Sequence, residues 1–544
     1  MKPTLDYISP LPPVRSGISD YSVDLLPALA QVCDVRVLQL PDQPVAEEVA
    51  ERWQPVPAEA ALREAARAWG KDGAGRLPLY QMGNNRYHRD VERLAMEYPG
   101  VLTLHDLVLH HLLMEETLGV GVHVPYKERL AADHGWLGQV IAQPRRWGGY
   151  SNASLFSLPA HRTLLQRQRG VLVHNRWAAE RIGEEDPRIP VRVVPMGVPL
   201  AADAADSEEA ARDLRRRFGL PLAAPVLGSF GFQTPIKRTG TVVEALAQPG
   251  LESVHLLIVG QVSEHANLEG IARDVGVAER VHITGFLPYE DFEAAIAATD
   301  LCLNLRYPTA GETSASLLRI LAAGRPAIVS DFAQFAELPD AVALKVPLGD
   351  DEMEILAARL RELLAEPEAL QRMGRAARRH VAEVHAPERA AAAIAEACAE
   401  LAELEPPGYQ APQDVPPTSL TWTAPRGELT VTGADAPWAP GERRRLQIEF
   451  RNTGPDRWLP GRSGPGGVAL EIQVVEDAAG EERLIDPRPW IPLPRPVAPG
   501  ESWQLEVEIR RPVGKGRLRF EPHILGGPSF GAAAGPVWER AIPA

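Results

Sequence analysis

Cysteine is scarce in this 544-residue chain. There are three, Cys33, Cys302 and Cys398, at no spacing that a metal site uses. So sparse and odd a set excludes a disulfide framework and fits a reducing compartment. Lysine is scarce too, at six of the 57 basic residues, against 72 acidic ones. The resulting formal net charge of −15 excludes the basic footprint that nucleic-acid binding needs. No apolar run approaches the ~20 residues that span a bilayer, so membrane contact is at most peripheral. The N-terminus has neither the charged start nor the apolar stretch of a secretion signal. These absences lead to the expectation of a soluble, cytoplasmic protein. What is present is an ordinary globular composition, 45% hydrophobic, in a chain too long for one core. Two or three domains are expected.

Short apolar runs alternate with helical periodicity through the first 400 residues. The runs at 5–8, 35–38, 79–82, 101–104, 171–173 and 191–194 read as buried strands, with a first helix over 19–30. A second series follows at 226–230, 256–259, 281–284, 301–305 and 327–329. Such alternation predicts two parallel, doubly wound sheets, residues 1–198 and 199–404, with a His-, Arg- and Trp-rich helical insertion at about 107–168. The second unit ends in Ala-, Glu- and Arg-rich helices over 352–404. Residues 405–420 form a Pro-rich linker. Beyond it, 446–450, 468–475, 503–509 and 518–521 alternate apolar and polar residues between turns. Residues 421–544 are therefore expected to form a small β-sandwich of the immunoglobulin-like kind, without the disulfide.

The most informative stretch is the turn Tyr307-Pro308-Thr309-Ala310-Gly311-Glu312-Thr313-Ser314-Ala315-Ser316. It joins an apolar strand to a helix whose Leu317, Leu318, Leu321 and Ala322 share one face. Gly324 and Pro326 stop the helix, and 327–329 resumes as a strand. This is a βαβ unit, and its loop lies at the carboxyl end of a strand, where open α/β sheets bind ligands. Thr313, Ser314 and Ser316 offer hydroxyls and unpaired N–H groups to an anion. Glu312 adds an acceptor for sugar hydroxyls. Thr and Ser are also ordinary helix caps, and Gly311 also suits a plain turn.

Several stretches together resemble the GT-B-fold retaining glycosyltransferases of the family 4, or group 1, type, over roughly residues 1–402. The loop Pro12-Pro13-Val14-Arg15-Ser16-Gly17-Ile18-Ser19-Asp20-Tyr21 is similar to the loop that faces the donor diphosphate in that family. In that comparison Gly17 lets backbone N–H groups approach phosphate, with Ser16 where a first glycine often stands. Gly228-Ser229-Phe230-Gly231-Phe232-Gln233-Thr234-Pro235-Ile236-Lys237-Arg238 resembles the opening of the family's second domain. Lys237 matches the lysine that neutralises the leaving pyrophosphate. Gly231 stands where an arginine is frequent, and Arg238 is the candidate to compensate. Positive charge at a helix start opposes the helix dipole, which favours a role for the pair over a merely solvated one. Of the family's two glutamates, Glu312 matches the first, and Arg319 stands at the second, which usually holds the ribose. Glu337 resembles a downstream family glutamate and equally suits a surface helix cap. His105 matches a histidine near the reacting sugar. Asp106 beside it, and Asn84 in Tyr80-Gln81-Met82-Gly83-Asn84-Asn85, each follow a strand and are acceptor-side candidates. His88, His110, His111 and His134 are weaker ones.

The resemblance implies transfer of a sugar from a UDP-, GDP- or dTDP-sugar to a hydroxyl on a glycan, lipid-linked or protein-linked acceptor, with retention. It implies no essential metal or other cofactor, and a place in cell-surface polysaccharide or glycoconjugate assembly. No enzyme nucleophile is expected, because the leaving phosphate helps deprotonate the attacking hydroxyl. GT-B folds also host epimerases and phosphorylases, and a catalytically degenerate chain could instead bind a glycan or a partner through its β-sandwich.

Overall fold

The structure is a computed structural model. It describes residues 2–69, 75–145, 154–200, 204–410, 418–419, 426–434, 437–461, 467–478, 481–484, 490–511, 516–525, 529–531 and 535–542. Most of the second half of the Pro-rich linker, including Pro416 and Pro417, lies outside the described residues.

The first unit runs β1 (Thr4–Ile8), α1 (Gly17–Val32), β2 (Asp34–Gln39), α2 (Glu47–Trp53), β3 (Val56–Pro57), α3 (Ala58–Ala68), β4 (Leu77–Met82), α4 (Arg89–Glu97) and β5 (Val101–Leu104). The insertion then supplies α5 (His110–Glu116), α6 (Val124–Arg145), α7 (Ser154–Ser157) and α8 (Arg162–Leu165). The unit closes with β6 (Gly170–Val173), α9 (Arg176–Glu185) and β7 (Val191–Val193). Its seven strands form a parallel sheet in the order β3-β2-β1-β4-β5-β6-β7. Every residue of β4, β5 and β6 is buried, as expected of parallel strands covered on both faces.

The second unit runs α10 (Ala204–Arg217), β8 (Val226–Phe230), α11 (Thr239–Ala245), β9 (His255–Val259), α12 (Leu268–Asp274), β10 (Val281–Gly285), α13 (Tyr289–Ala297), β11 (Leu301–Asn304), α14 (Ala315–Ala322), β12 (Ala327–Ser330) and β13 (Ala343–Val346). Three helices follow: α15 (Glu352–Leu364), α16 (Pro367–Val384) and α17 (Pro387–Ala402). The six strands are parallel, in the order β10-β9-β8-β11-β12-β13. The two doubly wound units are thus as the alternation predicts. The last helix departs from simple tandem order by returning to the first unit. There Leu401 packs so closely over Gly170 that a Cβ on that glycine would lie 2.4 Å from it.

The C-terminal part is β14 (Gly427–Thr432), β15 (Arg443–Asn452), β16 (Leu459–Pro460), β17 (Gly467–Ala478), β18 (Glu481–Leu484), β19 (Ile491–Pro492), β20 (Ser502–Arg510), β21 (Gly516–Ile524) and β22 (Trp538–Ile542). One sheet is β14-β15-β20, all antiparallel. The other is β16-β17-β21-β22, with β18 and β19 also on β17, antiparallel except for the short β16–β17 pair. Its own core is built on Phe450 stacked on Trp458, with Phe530 edge-on to both.

Candidate functional site

Four strands end at one place. Asn84 follows β4, Asp106 follows β5, Lys237 lies in a short 3-10 turn after β8, and Arg306 to Ser314 form the loop between β11 and α14. The two sheets therefore meet through the carboxyl ends of their strands. Contact is direct. The Val108 N–H donates to the Ala310 carbonyl at 3.0 Å, and Asn175 Nδ2 donates to the Gly311 carbonyl and the Thr313 hydroxyl, each at 3.1 Å. Gly311 has φ +80°, and a Cβ there would lie 2.6 Å from Leu107 and 2.9 Å from Trp177. Its backbone conformation and the closeness of the first unit both call for glycine.

Glu312 is held on all sides. Its Oε1 accepts from Arg306 at 2.6 Å, and its Oε2 accepts from the Thr309 hydroxyl and the Ala310 N–H, each at 3.0 Å. Gln334 Nε2 braces the loop by donating to Thr309 Oγ1 and the Glu312 carbonyl, each at 2.8 Å. Arg306 is thus the charge partner that Glu312 has in the structure. Lys237 comes to the same cluster. Its ammonium donates to the Phe230 carbonyl, and burial pushes its pKa well below the ordinary value. Arg306 pushes it further, and Glu312 opposes both. Arg306 thus pairs with Glu312, and Lys237 lies within the field of both.

Across the junction, the Asn84 N–H donates to Asp106 Oδ2 at 2.9 Å. The Asn84 side chain bonds His111 Nδ1 at 2.9 Å and accepts from the Leu112 N–H at 3.0 Å. Burial, then the negative charge of Glu312, pushes the Asp106 carboxyl up to about 7, against the Asn84 N–H and Arg306. Burial, then Arg145, pushes His111 down to about 4. Lys237, Arg306, Glu312, Asp106, Asn84 and His111 therefore form one electrostatic group.

Other expected residues lie apart from that group or are already engaged. Arg238 follows Lys237 but has φ +52°, which turns its side chain away to pair with Glu352, Nε to Oε1 at 2.9 Å. The arginine beside Lys237 is Arg306, not Arg238, from a loop that the lysine motif does not reach. Glu337 accepts from the N–H groups of Arg176 at 3.0 Å and Trp177 at 2.6 Å, so it caps α9 of the first unit instead of facing a donor. Ser314 caps its own helix, accepting from the Leu317 N–H. Gly17 opens α1, with Ser16 as its cap; a Cβ at Gly17 would meet nothing within 4 Å, so no packing inside the chain demands glycine there.

His105 is buried in a relay. Its Nδ1 lies 3.2 Å from His174 Nε2, and His174 Nδ1 lies 3.1 Å from the Val194 carbonyl. A carbonyl only accepts, so His174 carries its proton on Nδ1. Burial holds His105 well below the ordinary histidine range, and its Nε2 lies 2.9 Å from Gln81 Oε1. Both nitrogens are spent inside the protein, which makes His105 a brace beneath the junction.

Arg319 donates to Asp24 of α1 at 2.6 Å, an ion pair between the two units. Arg15 lies over the Phe286 ring, 5.1 Å from its centroid, and joins the units again. Beside the cluster, past the ends of β9 and β10, a depression of about 750 Å³ is lined by Phe232, Gly260, Gln261, Ser263 and Gly285. Phe232 and Phe286 stand 57% and 60% exposed at its edge or near it.

Residues 224–366, which carry Lys237, Arg306 and Glu312, match the model of the family described as Glycosyl transferases group 1. Over 145 residues the chain is 32% identical to a 2-deoxystreptamine glucosyltransferase of Streptomyces kanamyceticus, a match that covers 26% of this chain and 35% of that enzyme. It is 24% identical over 252 residues to the lipopolysaccharide core biosynthesis glycosyltransferase LpsE of Rhizobium meliloti, covering 43% of this chain and 69% of that protein. Among solved structures, sucrose-phosphate synthase of Thermosynechococcus elongatus superposes with a TM-score of 0.50 at 18% identity, covering 74% of this chain and 99% of that one. HepE of Anabaena in complex with UDP does so at 0.50 and 16%, covering 74% and 100%. These likenesses show the fold: two facing Rossmann-like sheets of the GT-B kind.

Proposed function

We propose that the chain is a glycosyltransferase that moves a sugar from a nucleotide sugar to a hydroxyl acceptor with retention of anomeric configuration, in cell-surface polysaccharide or glycoconjugate assembly. The observation that carries this reading is the convergence of Lys237 and the Arg306–Glu312 ion pair just before α14. Two basic side chains there, next to the unpaired N–H groups of a helix start, suit a diphosphate, whose charge would itself favour the protonated lysine. The family match over the same residues supports it, and so do the named activities of the two relatives.

In this reading Lys237, Arg306 and the first turn of α14 stabilise the departing diphosphate. Glu312 fixes Arg306 and keeps the site from holding bare phosphate too tightly. The depression past β9 and β10 takes the nucleoside, with Phe232 at its edge. Asp106 and Asn84 face the acceptor. The leaving phosphate helps take the proton of the attacking hydroxyl, so the protein's work is orientation and charge stabilisation. The all-β part, of immunoglobulin-like kind in this reading, serves acceptor or partner docking.

The test is a panel of UDP-, GDP- and dTDP-sugars offered to the purified chain. Thermal stabilisation and release of free nucleotide are the readouts. At least one donor should raise the melting temperature and turn over slowly to free sugar without acceptor. If no sugar nucleotide binds, the reading fails.

A further inference from the structure

The outer face of the β17–β21 pair carries a cluster that the transfer chemistry does not use. Glu471 and Glu521 stand directly opposite in register, and His523, opposite Ala469, lies two residues beyond Glu521 on the same face. The inward face of the same pair, with Leu470, Ile472, Phe520 and Ile524, belongs to the core. One oxygen of each glutamate and one ring nitrogen of His523 all lie within 4.8 Å of one another. His523 Nε2 is already 2.8 Å from Glu471 Oε2. The imidazole is fixed in orientation by Trp490, which stacks on it with centroids 4.2 Å apart and planes 29° apart.

We propose that Glu471, Glu521 and His523 form a binding site for a divalent transition metal of the zinc class, which clamps β17 to β21. One imidazole and two carboxylates from adjacent strands are a borderline-soft N/O set, suited to zinc, cobalt or nickel and not to magnesium or calcium, which take oxygen alone. Tetrahedral ligands at zinc lie about 3.3 Å apart, so the cluster closes on an ion by small side-chain rotations. Arg519 donates to Glu521 Oε2 at 2.6 Å and Ser529 also hydrogen-bonds this side chain, so the two orient the carboxylate from outside. Glu521 is 6% exposed and Glu471 is partly so; with water in the fourth position the site is a shallow, solvent-reached one.

The experiment is calorimetric titration of the full chain with Zn²⁺, and with Co²⁺ followed by its visible absorption. Saturable binding near one equivalent is expected, with the intense bands of four-coordinate Co²⁺. Glu471→Gln and His523→Gln should each weaken it by about tenfold or more. His255 and His282 lie 3.0 Å apart in the second unit and are a rival site, so His282→Gln serves as control and should leave the binding intact. Unchanged zinc affinity in Glu471→Gln, or loss in His282→Gln alone, overturns the proposal, as does the absence of saturable binding. If His523→Gln loses its fold with the Trp490 stack, the Glu471→Gln result still decides, because that isosteric change leaves the stack in place.

Discussion

Asp106 is the group whose titration best reports on the junction. Its ordinary pKa is 3.8, and burial and Glu312 push it up to about 7. Below pH 4 the carboxyl is protonated in both the folded and the unfolded chain and has no effect on stability. Between pH 4 and 7 the unfolded chain releases its proton while the folded one keeps it, so stability falls. Above about pH 7 the full penalty is present. The whole displacement corresponds to about 4 kcal/mol. The carboxyl is not wholly shut off from water, which reduces this to about 2 kcal/mol by screening. Asp106→Asn keeps an acceptor for the Asn84 N–H and removes the charge. Its melting temperature should match wild type near pH 3 and exceed it by about 4–8 °C near pH 8, at the usual slope for a domain of this size. Differential scanning calorimetry across that range is the assay, read on the transition of the two sheet units. In ¹³C NMR the Asp106 carboxyl should titrate near neutrality, and it should titrate lower in Glu312→Gln. A gap that does not change with pH, or an Asp106 that titrates near 4, would refute the account of the site.

Three further changes probe the same architecture. Lys237→Ala should lower donor turnover by about 10²–10³ while leaving the melting temperature equal or higher, since a desolvated ammonium is removed; near-wild-type turnover would take Lys237 away from the phosphate. Glu312→Gln frees Arg306, so calorimetry should show tighter binding of nucleoside diphosphate and no gain for the intact sugar nucleotide; equal losses for both would show that Glu312 does not discriminate between them. A chain ending near Glu405 should stay folded and keep donor hydrolysis, because the β-sheets beyond have their own aromatic core; complete loss of donor binding in that soluble truncation would contradict this.

Most strands of both sheets were legible because parallel strands buried on both faces read as apolar runs, and the partly exposed edge strands β7 and β10 were read as well. The two that escaped notice are edge strands. β3 is two residues long and ends in Pro57, and β13 carries Lys345 among Ala343, Leu344 and Val346. β3 is too short to show a run, and Lys345 interrupts the one in β13. In the β-rich part the long strands were legible from their alternation. β14, whose pattern also alternates, was missed, as were β16, β18 and β19, which are too short to show a period, and β22. Asn84 and Asp106 could be placed from sequence because each lies two residues past a strand's carboxyl end; Lys237 was placed by its match to the family's motif, and Glu312 by that match and its loop. A capping role was one of the two readings open for Glu337, but the helix it caps had no signal, since its partners are some 160 residues away on another unit.

Arg306 shows where local reading stops and three-dimensional charge begins. Its place in sequence, just past β11, says only that it leaves a buried strand. Lys237 and Arg238 are neighbours in sequence, yet the left-handed backbone at Arg238 sends one side chain to the junction and the other to Glu352. A second cation near Lys237 is needed if the site is to hold a diphosphate with a glutamate beside it, because Lys237 and Glu312 alone would cancel. The fold meets that need from the adjacent strand β11, whose loop carries both the arginine and the glutamate that restrains it. Charge, then, is set by the set of loops at the ends of β8 and β11 taken together, and a motif on either loop alone misstates it.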